Sequence, residues 1–73
     1  MKIETTMAKM PRVWEEQFRS SCKYFTVGKG KARYDLWKFG PCGLAYCYQI
    51  DSEGYACKRR AVEPNQTVFV HIV

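Results

Sequence analysis

Between residues 28 and 66 the chain is interrupted four times by a tetrapeptide carrying glycine or proline: GKGK at 28–31, GPCG at 40–43, DSEG at 51–54 and EPNQ at 63–66. Glycine opens backbone conformations closed to other residues and proline removes a hydrogen-bond donor, so no long helix or strand crosses these points. The stretches between them, KYFTV, ARYDLWKF, LAYCYQI, YACKRRAV and TVFVHIV, are short and rich in β-branched and aromatic residues, which is the make-up of strands. KYFTV and ARYDLWKF are expected to pair across GKGK, and LAYCYQI and YACKRRAV across DSEG. TVFVHIV, β-branched on both faces, reads as a well-covered strand.

Upstream of Tyr24 the pattern changes. Pro11 suits a first helical turn, and Trp14, Phe18, Cys22 and Phe25 recur near one face at helical spacing. A helix is predicted over about residues 11–22. Glu15 and Glu16 then fall in its first turn, and Glu15 precedes Arg19 by four positions. Residues 1–10 show no clear period and read as a flexible N-terminal arm. The expected fold is α+β: one N-terminal helix packed through Trp14 and Phe18 on a small, mainly antiparallel sheet of four to five strands. Residues 11–73 would form that single small domain.

A chain of 73 residues has room for one modest core and none for a deep substrate cleft. MKIETTMAKMPRVW contains no long apolar run, so neither a signal peptide nor a membrane span is expected there. The expected setting is the cytoplasm, where thiols stay reduced. Cys22, Cys42, Cys47 and Cys57 have no Cys-x-x-Cys pair, and His71 is far from them in sequence, which disfavours zinc. A three-residue hairpin loop ending at Gly54 would set Asp51 opposite Tyr55, Gln49 opposite Cys57 and Cys47 opposite Arg59. Cys47 and Cys57 would share a face, and the cysteines are expected to serve as small buried apolar residues.

No catalytic residue, metal ligand or cofactor site is expected. His71 lies within an apolar strand, and Glu15 and Glu16 are adjacent on a helix and project apart. Binding is the remaining class. Twelve Lys and Arg against seven Asp and Glu give a formal charge of +5, which raises encounter rates with nucleic acid or an acidic protein surface. VGKGKAR lacks the full phosphate-loop fingerprint and the helix that should follow. It reads as a solvated hairpin turn with lysines, although Lys29, Lys31 and Arg33 could make secondary phosphate contacts. CKRRA concentrates charge most. On a regular strand Lys58 and Arg60 share one face beside Tyr46 and Tyr48, a surface able to stack bases, and the alternative is a charge-protected edge strand.

In outline, through MKIETTMAKM, PRVWEEQF and CKRRA, the chain resembles the very small phage-encoded regulators of host RNA polymerase, of the Xanthomonas phage type, which block initiation and promote read-through of terminators. The resemblance implies a non-enzymatic monomer in the host bacterial cytoplasm, bound near the polymerase's largest subunit. Ile3, Met7 and Met10 would then be docking groups, with Lys2 and Lys9 meeting acidic residues. Lys58, Arg59 and Arg60 would contact polymerase or nascent RNA. The alternatives are a basic module for single-stranded nucleic acid and a phage inhibitor of another host complex.

Overall fold

The computed structural model describes residues 1–17 and 22–73. Six strands and one short helix follow in the order β1 (Lys2–Thr6), α1 (Met10–Glu16), β2 (Lys23–Val27), β3 (Leu36–Phe39), β4 (Ala45–Ile50), β5 (Ala56–Val62) and β6 (Thr67–Ile72). They form two antiparallel three-stranded sheets, sheet A in the order β1-β6-β2 and sheet B in the order β3-β4-β5. The expected single sheet covered by a helix is therefore corrected: the protein is mostly β, and its core lies between two sheets.

The division begins at Tyr34. The expected first hairpin survives as one bridge, in which Phe25 and Tyr34 exchange backbone hydrogen bonds of 2.8 and 2.9 Å. Tyr34 is buried beside the Phe25 ring, and after Asp35 the chain leaves to pair β3 with β4. β6 takes the place beside β2 because its alternate residues Val68 and Val70 are fully buried opposite Val27 and Phe25. That pairing joins distant parts of the chain, and local turn signals do not encode it.

Residues 1–10 do not form a free arm. Lys2–Thr6 pair with β6 from His71 to Thr67, and the amides of Met7 and Ala8 donate to Gln66 and Pro64 carbonyls at 2.9 and 3.0 Å. Met7 and Met10 are fully buried, with Ile3 packed against the same core. That core also takes Phe25, Val27, Val68 and Val70 from sheet A and Ala45, Cys47 and Val62 from sheet B.

The helix is shorter than expected, and the predicted positions 18–21 lie outside the described residues. Pro11 stands at its start, as its fixed φ favours. With helix bounds of Met10–Glu16, Glu15 and Glu16 fall in the last turn and not the first. Lys23 offsets the exposed carbonyls there, its Nζ donating to Trp14 and Gln17 oxygens, each at 3.0 Å. Trp14 meets Trp37 edge-on at 5.1 Å and Phe25 at 5.9 Å, so the helix packs at the seam of the sheets.

Candidate nucleic-acid interface

Strand alternation gives sheet A a second, open face. With Phe25, Val27, Val68, Val70 and Ile3 turned into the core, Tyr24 and Thr26 on β2, Phe69 and His71 on β6, and Lys2 and Glu4 on β1 point the other way. The turn after β2 folds beside this face, with Gly28 in a left-handed conformation at φ 55. Its amide donates to the Thr67 carbonyl at 2.9 Å. Together they enclose an open cleft of about 540 Å³ lined by Lys2, Tyr24, Thr26, Phe69, His71 and the 28–33 segment with Lys29, Lys31 and Arg33. Among the described residues no carboxylate lines it; Glu4 lies on the same sheet face, paired with Phe69.

Aromatic rings and cations alternate across the cleft. Lys2 and Tyr24 are both register partners of His71, from opposite sides. The Tyr24 and His71 rings stack with centroids 4.7 Å apart and planes 8° from parallel. Arg33 lies over the Tyr24 ring at 4.5 Å and Lys2 over Phe69 at 5.1 Å. Thr26 Oγ1 and His71 Nε2 share a hydrogen bond of 2.9 Å. Burial, then Lys2, Arg33 and the amino terminus, all lower the His71 pKa from its ordinary 6.5. The imidazole is therefore neutral near pH 7 and sits among positive groups.

Such a surface has the chemistry to meet two parts of a nucleotide at once. Base faces stack on rings of any sequence context, while Lys and Arg meet phosphates. Each cation–π contact, worth about 0.5–1 kcal/mol where exposed, holds a cation over its ring. Stacking at about 1–3 kcal/mol per base exceeds that contact, so a base taking the ring would free the cation for a phosphate.

The CKRRA expectation changes in register. The hairpin turn forms as anticipated: Gly54 has φ 88, Asp51 and Tyr55 are joined by a 3.0 Å backbone bond, and Gln49 faces Cys57. Beyond that pair a β-bulge intervenes, with Lys58 at φ 50, and Cys47 faces Arg60, not Arg59. The shift by one residue moves the cations between faces. Arg59, not Lys58 or Arg60, lies over Tyr46 at 5.2 Å. Arg60 reaches the rim of the basic turn, its Nη1 3.6 Å from where a Cβ on Gly30 would stand.

Of the residues nominated from sequence, Lys2 lines the cleft, and Lys58, Arg59 and Arg60 are exposed on β5, an edge strand of sheet B. Lys9 is exposed at the helix start, while Met7 and Met10 are fully buried in the core and Ile3 is half-buried against it. Tyr24, Phe69 and His71 line the cleft but are not among the residues nominated from sequence. For Phe69 and His71 the signal is the alternation Thr67, Phe69, His71 within TVFVHIV, which a reading of both faces as covered conceals. Only Cys47 of the cysteines is buried. Cys57 is half-buried, Cys22 and Cys42 are exposed, and all four are free thiols. No group of three or more His, Cys, Asp or Glu converges among the described residues, and no helix among them is long and apolar enough to cross a membrane. The chain matches no family model, and comparisons with characterised proteins and with solved structures gave no match.

Proposed function

We propose that this protein is a small non-enzymatic regulator that acts by binding, and that the open face of sheet A receives a single strand of nucleic acid. The observation that carries this reading is the cleft itself: three aromatic rings, Tyr24, Phe69 and His71, interleaved with Lys2, Lys29, Lys31 and Arg33 and lined by no carboxylate among the described residues. A ring platform bordered by cations suits an unpaired strand, whose bases are free to stack, better than a duplex, whose base faces are occupied.

The resemblance in outline to phage regulators of host RNA polymerase supplies the setting: association with the polymerase, inhibition of initiation, antitermination and contact with the emerging RNA. A second surface favours a protein partner as well. The strands of sheet B contain Lys38, Lys58, Arg59 and Arg60 and no Asp or Glu. Beside them Leu36 and Ile50 are 46% and 39% exposed. An acidic protein surface complements that combination, and Lys58, Arg59 and Arg60 are the residues assigned to it. The docking role of Ile3, Met7 and Met10 is withdrawn.

Fluorescence anisotropy with a labelled oligouridylate tests the nucleic-acid contact. Binding that weakens with salt, and weakens further in the Lys29→Gln/Lys31→Gln variant, is expected; no binding at low salt overturns it. Capture of RNA polymerase subunits from nuclease-treated bacterial lysate tests the setting. It is done at about 0.3 M salt, where screening is tighter than the ~8 Å of physiological salt. Retention of the subunits, lost on charge reversal at 58–60, supports the polymerase setting; their absence leaves a stand-alone nucleic-acid module.

A further inference from the structure

We propose that the cleft of sheet A binds a single-stranded phosphodiester chain together with a proton, the proton passing from solvent to His71 and the imidazolium donating from Nδ1 to a phosphate oxygen. This rests on the nucleic-acid reading of the same face, and adds to it a ligand-contacting residue and a pH dependence.

His71 lines the cleft from the middle strand of sheet A, between its register partners Lys2 and Tyr24. Its Nε2 is held by Thr26 at 2.9 Å and its ring by Tyr24 stacked at 4.7 Å, so the imidazole is fixed in orientation and Nδ1 is the nitrogen left for a ligand. The groups around it are nearly all positive. From β1 come Lys2 and the Met1 amino group, which donates to the Ile72 carbonyl at 2.9 Å. Glu4, the carboxylate of that strand, stands two register positions away, opposite Phe69. β2 offers Tyr24 and Thr26, and the 28–33 segment offers Lys29, Lys31 and Arg33.

In the free protein burial and then this surrounding lower the His71 pKa from its ordinary value. A phosphate in the cleft reverses the local sign: it neutralises the neighbouring cations and gives the imidazolium an anionic partner. Proton and ligand then favour each other by the same factor, whichever binds first. A phosphodiester and uracil gain and lose no proton between about pH 5.5 and pH 8, the range in which a histidine changes charge, so the proton uptake belongs to the protein. Affinity therefore rises as pH falls through this range, by up to about tenfold per pH unit for one linked proton.

The chain contains a single histidine, so its imidazole signals in a proton NMR titration belong to His71. The titration is run on the free protein and with a saturating short oligouridylate lacking a terminal phosphate. Affinity is measured by anisotropy across the same pH range for wild type and His71→Gln. Expected are a His71 pKa below the ordinary value in the free protein, a rise of about one unit or more with ligand, and a pH dependence of affinity that His71→Gln abolishes. Binding with an unchanged His71 titration overturns the proposal while leaving the nucleic-acid reading intact, as does a pH dependence that persists in His71→Gln. No binding at any pH overturns both. Should His71→Gln fail to fold, the wild-type titration decides alone.

Discussion

A thiol and an imidazole show how far position alters a side chain here. Cys47 is fully buried, 3.9 Å from the Met7 sulfur. Burial pushes its pKa up to about 11 against a smaller opposing pull from Arg60. Since the thiolate is the reactive form, alkylation at neutral pH read by mass spectrometry should label Cys22 and Cys42 first and Cys47 only after unfolding. His71 has the opposite character: its lowered pKa means that the folded state resists protonation. Its contribution to stability is full above the ordinary histidine value and is lost as pH falls through the lowered one. Urea midpoints without nucleic acid should therefore drop on acidification in that window more for wild type than for His71→Gln. Tyr24→Ala and Phe69→Ala should each weaken oligouridylate binding by about 1–3 kcal/mol, the worth of one stacked base, in the same anisotropy assay. None of these roles was legible from residue type alone. The same chain contains four cysteines, and only the inward register of β4 separates Cys47 from the rest.

Among the elements, β1 and β5 depart furthest from their sequence appearance. KIETT has only one strongly apolar residue and no clear period, yet Ile3 and Thr5 pair with Val70 and Val68 over the core while Lys2 and Glu4 face outward. An edge strand with charges on its open face is stable when a central strand supplies its hydrogen bonds. Met7→Ala should accordingly cost about 2–5 kcal/mol, the range for large-to-small changes in a core, as measured by urea denaturation. Deleting residues 2–10 should abolish cooperative unfolding and not merely remove a contact. In β5 the bulge holds Lys58 at φ 50, a left-handed conformation that costs an L-residue roughly 1–2 kcal/mol. Lys58→Gly should relieve most of that cost and raise the urea midpoint, leaving oligouridylate affinity unchanged because the residue lies outside the cleft.

For the molecule as a whole, the decisive arrangement is two small sheets sharing one core. Neither buries its inner face alone, since the core cluster takes residues from both and from the β1–α1 connection. A sheet with one hydrophobic face must bury it against another element, and here each sheet serves the other in that way. Unfolding should therefore be a single transition. Tryptophan fluorescence, reporting on Trp14 and Trp37 at the seam, should coincide with far-ultraviolet circular dichroism, and separate transitions would indicate independent sheets. On the other side of sheet A four cations, Lys2, Lys29, Lys31 and Arg33, line the cleft. At roughly 0.7 released counterions per neutralised phosphate of a single strand, the logarithm of affinity should fall with that of salt at a slope of about −3.

The sequence by itself determined the positions of the chain breaks, the DSEG hairpin and its first two pairs, the strand character of most segments after residue 22 and the basic balance. Each is a local property: glycine and proline act on their own dihedrals, β-branched side chains on their own backbone, and charge needs no fold. Tertiary structure decided which strands meet. β6 joins β1 and β2 across most of the chain, and the bulge at Lys58 exchanges the faces of two arginines. Because strand side chains alternate with a period of two, those choices turn Phe25, Val68 and Val70 into the core while Tyr24, Phe69 and His71 line an open basic cleft.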